Sequence, residues 1–159
     1  MMNELDEATA LIWKEADMLD AADLDNWMAL YSEDGTYWMP ASHDQPDAEN
    51  HISHFYDDRV MMEIRRRNFV HPRAASKDHQ VRCSHMISNF QLLEGKPQEN
   101  TFSVSSNFQV LMYYREQQRI FGGKYRHDFV RMNSELKIRH KRVDLINCDA
   151  AHSSIIIYL

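Results

Sequence analysis

The residues Cys83-Ser84-His85 repeat the short Cys-to-His loop that supplies half of a Rieske iron–sulfur centre, whose four ligands are two Cys and two His. A second half is missing. Cys148-Asp149-Ala150-Ala151-His152 has one residue too many and lies far downstream, and the period-two pattern around Cys83 and His85 places both on one face of a strand as small core or interface residues. The segment His51-Ile52-Ser53-His54-Phe55-Tyr56-Asp57-Asp58 holds two His and two carboxylates, the donor set of a mononuclear non-haem iron site. It runs from a loop into a helix start, however, where Asp57 and Asp58 read more simply as first-turn acids complementing the helix dipole. A third chemistry is proton transfer by an Asp, a His and a Tyr in a cone-shaped pocket, with Tyr31, Tyr37, Tyr56, His54 and His71 near its mouth. Aromatic residues in a mixed helix-and-sheet protein more often pack than catalyse. The four glycines leave none for a phosphate loop, since Gly35 and Gly95 fall in turns and Gly122-Gly123 in a bend, and neither a Ser–His–Asp signature nor a nucleophile elbow is present.

The elements that must position these residues change character along the chain. Asn3 is a plausible N-cap, and Leu5, Ala8, Ile12, Ala16 and Leu19 recur at helical steps. A short second helix is predicted from Leu24 to Tyr31. Glu33-Asp34-Gly35 then reads as a turn, and Thr36 to Met39, ahead of Pro40, as a short strand. After a polar loop over 41–53, a third helix is predicted from Tyr56 to about Arg67, with Tyr56, Val60, Met61 and Ile64 on one face.

Beyond His71-Pro72 the apolar period becomes two. Strands are predicted over Val81 to Leu93, with a bulge between Ile87 and Phe90, over Thr101 to Tyr114, over Gln118 to Met132, and over Leu136 to Ile146, which changes phase near Arg142-Val143. Ser154 to Leu159 reads as a last apolar strand. Glu94-Gly95-Lys96-Pro97 is a hairpin turn, and Gly122-Gly123 marks a bulge or sharp bend. Helices followed by long strands joined through short turns predict a single α+β domain over residues 1–159, its sheet strongly bent around the N-terminal helices.

Composition narrows the function. With 159 residues the chain buries a sufficient core without disulfides or a structural metal. The formal net charge of −6 argues against nucleic acid or anionic lipid as a main partner. The basic runs Arg65-Arg66-Arg67 and Lys137 to Arg142 sit in patterned elements and read as solvated or partner-facing surface. Two cysteines exclude a four-cysteine zinc site and a disulfide scaffold. An acidic N-terminus without an apolar core predicts a cytoplasmic protein with no membrane span.

Several segments in this order and spacing resemble the small (β) subunit of the aromatic-ring-hydroxylating oxygenases, the Rieske non-haem iron enzymes. They are Glu15 to Asp20; Trp27-Met28-Ala29-Leu30-Tyr31 followed by Asp34 to Pro40; Phe55-Tyr56-Asp57-Asp58-Arg59; Ser88-Asn89-Phe90; Ser106 to Val110; Phe121 to His127; and Leu136 to Ile146. The resemblance covers nearly the whole chain, and Tyr37-Trp38-Met39-Pro40 is most similar to the branch acting on benzoate-type acids (benzoate, salicylate, anthranilate). It implies a cone-shaped cystatin-like or ketosteroid-isomerase-like fold, N-terminal helices packed in a long, bent antiparallel sheet. It also implies an assembly of three α and three β chains, in which the α subunit carries the Rieske [2Fe-2S] cluster and the mononuclear iron. The β subunit is then mainly structural, with no catalytic residue and no metal ligand to carry over. Tyr56, Asp57, Asp58, Arg59 and Tyr125 are the expected interface or scaffold positions; the alternative is that they pack the chain's own helix against its sheet. Two other readings remain at this point, a stand-alone isomerase or dehydratase of the same fold and a ligand-binding or scaffolding module.

Overall fold

The Asn3 side chain accepts a hydrogen bond from the Asp6 amide at 2.9 Å and starts helix α1, Glu4–Asp20, in the computed structural model, which describes residues 2–70, 81–95 and 98–159. One stripe of α1, Ala8, Ile12, Glu15, Ala16 and Leu19, is buried. Asp23 caps the short α2, Leu24–Ala29, by accepting from the Asn26 amide at 3.2 Å. This helix stops before the predicted Tyr31. The Leu30 carbonyl accepts from the Ile138 amide at 2.9 Å, and Tyr31 already pairs with Ile138, so tertiary strand pairing overrides helical continuation.

Strand β1, Tyr31–Pro40, therefore runs straight through the predicted turn. Its register against β6 shifts between Tyr31 and Thr36, so the residues read as a turn form a bulge within one strand. Gly35 belongs there because a Cβ would sit 2.9 Å from the Ser32 carbonyl oxygen. Strand β2, Ser53–Asp57, replaces the expected start of the third helix, and α3, Arg59–Val70, begins only after Asp58 caps it through the Met61 amide at 2.9 Å. Tyr56 and Asp57 thus lie on a strand. Alternation over five residues ending at a cap was indistinguishable in sequence from the first helical turn.

Strands β3 (Arg82–Leu92), β4 (Thr101–Tyr114), β5 (Gln117–Met132) and β6 (Glu135–Leu145) complete a six-stranded sheet of order β2-β1-β6-β5-β4-β3. All neighbours are antiparallel except β1 and β6, which run parallel, unlike the wholly antiparallel sheet expected. Two-residue turns with positive φ, Arg115-Glu116 and Asn133-Ser134, join β4 to β5 and β5 to β6, matching the twist of the ribbons. The predicted bulge in β3 is present between Ser88 and Gln91, with Asn89 at φ 56°. Of the predicted turn at 94–97, Lys96 and Pro97 lie outside the described residues; Gly95 has φ 97°.

Three strand expectations are corrected. Gly122-Gly123 is not a bulge: pairing of β4 with β5 continues through it, and Gly123 instead lets β6 approach, since a Cβ would lie 1.9 Å from the Asp144 carbonyl oxygen. The phase change of β6 falls opposite Asp128 and Phe129, not at Arg142-Val143, because Lys141 sits on the inner face and disguised the apolar alternation. Ser154 to Leu159 makes no strand; Tyr158 and Leu159 are buried there as irregular chain, with the Leu159 amide donating to Tyr37 Oη at 2.9 Å. The class is nonetheless the expected one, helices on the inner face of a bulged sheet. Ile12, Trp27, Tyr37, Phe108, Tyr125, Phe129 and Val143 fill the space between. Among the described residues no helix is long and apolar enough to cross a membrane.

Candidate functional site

The inner face of the sheet carries ionisable groups where an amphipathic pattern calls for apolar ones. Glu15 lies on the buried stripe of α1 between Ile12 and Leu19. Its Oε2 accepts from Trp27 Nε1 at 3.1 Å and from the Tyr31 hydroxyl at 2.7 Å. Its Oε1 meets His127 Nε2 of β5 at 2.9 Å and accepts from Lys141 Nζ of β6 at 2.8 Å. Lys141 also donates to the Leu159 carbonyl at 2.8 Å and lies 4.3 Å from the centre of the Tyr125 ring. One carboxylate thereby joins α1, α2, β1, β5 and β6.

Electrostatics follow from this dry setting. Burial alone would raise the Glu15 pKa, but the Lys141 ammonium and the His127 hydrogen bond outweigh it and hold the carboxyl far below its usual range. Burial lowers both His127 and Lys141, and Glu15 opposes it in each case. Tyr31 is pushed up by burial and then by the adjacent carboxylate. A carboxylate facing the imidazole requires Nε2 to donate, so the Nδ1 atom is the unprotonated one, and it has no partner among the described residues. Among the same residues the Tyr125 hydroxyl, on the same strand face, also lacks one, as does Ser106 Oγ directly opposite on β4. Glu15 and Lys141 are 2% and 1% exposed and His127 0%, so these groups meet each other and are closed off from solvent. Such an arrangement anchors a helix across a sheet.

A second corner stands beside it. Asp57 accepts from Arg65 through Nε and, at 3.3 Å, through Nη2, and from the Tyr158 hydroxyl at 2.7 Å; Tyr158 stacks on Trp27 at 4.4 Å. Arg59 donates to the Met28 carbonyl and Asp58 caps α3. Of the five positions expected to act as interface or scaffold, Asp57 and Tyr125 are buried, Arg59 is half-buried, and Tyr56 and Asp58 are exposed. The α3 face expected to pack inward, Val60, Met61 and Ile64, points outward with Tyr56, and Met62 is the residue buried in its place.

The other sequence candidates do not converge. His54 Nε2 meets the Cys148 carbonyl at 2.6 Å, and His51 lies 3.7 Å from Asp47; neither shares a site with Asp57 or Asp58. His71 lies outside the described residues. Cys83 and His85 share the inner face of β3, where His85 pairs with Asp20 and burial pushes the Cys83 thiol up to about 11. Cys83 is on β3 and Cys148 follows β6, three strands away and so about 14 Å across the sheet, and one Rieske cluster cannot use both. The Arg65-Arg66-Arg67 run is taken up by the chain's own acids, Asp57, Asp25 and Glu63. Sequence reasoning missed Glu15, Trp27, His127 and Lys141. Signals existed: Glu15 falls at a stripe position and His127 in phase between Tyr125 and Phe129, while Lys141 was absorbed into a basic run read as surface.

Comparison with known proteins places this geometry. A family profile described as "Ring hydroxylating beta subunit" matches residues 14–150. The chain is 28% identical to the 2-halobenzoate 1,2-dioxygenase small subunit of Burkholderia cepacia, over 96% of this chain and 93% of that one. It superposes on the crystal structure of the beta subunit of benzoate 1,2-dioxygenase from Burkholderia mallei with a TM-score of 0.77 and 25% identity, covering 92% and 93% of the two chains. A putative scytalone dehydratase from Novosphingobium aromaticivorans matches with a TM-score of 0.65 and 16% identity over 92% and 87% of the chains, a likeness of fold alone.

Proposed function

The chain belongs to the ring hydroxylating beta subunit family, and from that premise we propose that it is the non-catalytic scaffold of a terminal oxygenase acting on a benzoate-type aromatic acid. Its partner is an α subunit bearing the Rieske [2Fe-2S] cluster and the mononuclear iron, in an assembly of three α and three β chains in the cytoplasm. The α subunit supplies the ring hydroxylation with O₂ and electrons originating from NAD(P)H.

The observation carrying this reading is the filled interior. Where an isomerase or dehydratase of this shape would open a pocket, Glu15, Trp27, Tyr37, Tyr125, His127 and Lys141 occupy the space at 2% exposure or less. Chemistry on a substrate requires a reachable acid or base, and these are sealed. The outside of the molecule is, by contrast, unusually apolar in two places. Leu111 and Ile120 are cross-strand partners on the outer sheet face, beside Met86 and Tyr113, and all four are exposed. The other is α3, where Val60, Met61 and Ile64 are exposed, with Tyr56 exposed on the preceding β2. Such surfaces suit contacts with the α subunit and with further β chains. The stand-alone enzyme reading is not favoured.

The test is purification of this chain alone and after co-expression with its α subunit. The expected result is no turnover of aromatic acids by the chain alone, iron near zero in it, and a mixed assembly that hydroxylates. Turnover by the isolated chain, or failure ever to form the mixed assembly, overturns the proposal.

A further inference from the structure

Away from the buried network, the loop after β1 and the turn after β6 bring together three potential metal ligands of three kinds. The side-chain donor atoms of His43, Cys148 and Asp149 all lie within 4.8 Å of one another, and His43 Nε2 is 3.6 Å from Asp149 Oδ1. A tetrahedral zinc with Zn–N and Zn–O distances near 2.1 Å places such a pair about 3.4 Å apart, and a thiolate at about 2.3 Å lies about 3.6 Å from the imidazole nitrogen. The His43–Asp149 separation is close to that of a zinc-bound pair, and the 4.8 Å bound leaves the Cys148 sulfur within reach by side-chain rotation.

Both supporting segments are fixed by bonds that leave these donors available. Gln45, buried at 2%, holds the loop of His43: it accepts from Ser42 Oγ at 3.2 Å and donates to the Asp47 carbonyl at 3.2 Å and to Ser53 Oγ at 3.4 Å. The turn of Cys148 is held by His54 Nε2 on the Cys148 carbonyl at 2.6 Å and by His152 Nε2 on the Asn147 carbonyl at 2.7 Å. The Cys148 amide further donates to the Leu145 carbonyl at 3.3 Å, tying the turn to the end of β6. These bonds fix the backbone that carries the imidazole, the thiol and the carboxylate, so the three groups are presented from anchored segments.

We infer that His43, Cys148 and Asp149 bind one divalent zinc-class ion, which staples the loop after β1 to the end of β6. The mixed nitrogen, sulfur and oxygen set selects a borderline ion; magnesium and calcium take oxygen ligands and leave a thiol unused. On binding, the Cys148 sulfur–hydrogen bond is replaced by a metal–sulfur bond and the proton passes to water, with no change of oxidation state. Three protein ligands leave one coordination position, which water fills. Zinc binding is read on this chain alone, so its failure would leave the scaffold reading intact.

The test uses the full chain, stripped with a chelator and titrated with zinc chloride, with cobalt(II) as a spectroscopic probe. The expected result is one zinc per chain and a thiolate-to-cobalt charge-transfer band, the band being lost in Cys148→Ser. Because Cys148 is buried and its replacement could unfold the turn, His43→Ala, at an exposed position, is the second variant. It should lower zinc affinity by more than about tenfold while leaving the unmetallated protein's thermal midpoint unchanged. Substoichiometric zinc in the wild type, or equal affinity in His43→Ala, overturns the inference.

Discussion

Lys141 Nζ lies 2.8 Å from Glu15 Oε1 at positions where both side chains are at most 2% exposed, an ion pair closed off from water between the first helix and the interior strand β6. A pair of this kind loses most of its hydration on folding and recovers it only through complete hydrogen bonding. Glu15 achieves that with four partners.

Removing one partner leaves the other charge buried without compensation. Glu15→Leu and Lys141→Met are each expected to lower the unfolding free energy by about 3–5 kcal/mol. The double variant should cost less than the two losses added, since neither charge is then orphaned. Urea unfolding of the four proteins, at unchanged m-value, measures the coupling directly; strict additivity rules the pair out as a unit.

The same network sets an acid limit. His127 is held below its ordinary 6.5 by burial, so the unfolded chain takes up a proton at higher pH than the folded one. Its contribution is full above 6.5 and is lost as pH falls through that value toward the lower folded one. Glu15 behaves in the same sense lower down, its contribution being present above the ordinary 4.5 and lost as pH falls toward its depressed folded value. Stability should therefore decline on moving from pH 7 to 5, and His127→Gln should flatten that limb while leaving the more acidic loss. Urea midpoints across pH 4 to 8 give the comparison, and parallel curves for the two proteins would contradict it.

Gly122 and Gly123 are adjacent yet should respond very differently to one methyl group. A Cβ at Gly122 meets the Phe108 carbonyl oxygen at an ordinary 3.5 Å, whereas one at Gly123 would stand 1.9 Å from the Asp144 carbonyl oxygen. Gly122→Ala is expected to change stability by less than about 0.5 kcal/mol, and Gly123→Ala by several times that through separation of β5 from β6. Thermal unfolding of the two variants decides it.

The difference between these glycines explains much of what the sequence could and could not disclose. Strand β4 was legible to the residue because Phe102, Val104, Phe108, Val110 and Met112 fall on alternate positions and are all buried. Gly123 was legible only as a glycine, because its cause is the Asp144 carbonyl of a strand beyond the next turn. Likewise Tyr31 obeyed its long-range pairing to Ile138 and not its helical neighbours. The buried network broke the hydrophobic pattern on which the reading relied: Lys141 made an inner-face position look like surface and shifted the apparent phase of β6. Its members become recognisable as partners only when α1, β5 and β6 are brought together. His43 and Cys148 pose the same problem, brought together only by the fold.

The outward face of α3 supplies the last prediction. Sequence periodicity put Val60, Met61 and Ile64 on an apolar stripe, and a stripe of this kind ordinarily packs on the chain's own core. Here Met62 is buried and the stripe is 67%, 38% and 44% exposed, so its apolar character is unused within the subunit. Arg65, one residue on, is tied back to Asp57, which fixes the rotation of the helix and prevents the stripe from turning inward. If this surface is covered in the oxygenase assembly, Ile64→Asp should leave urea unfolding of the isolated chain within about 0.5 kcal/mol of wild type, as an exposed substitution does. The same change should reduce recovery of the mixed α and β assembly on gel filtration, because a charge would be buried without a partner at the contact. Ile120→Asp probes the outer sheet face in the same way, and Met62→Asp, in the core, should unfold the chain and so separates assembly loss from folding loss. Intact assembly with both exposed variants would exclude these two faces as the contact surfaces.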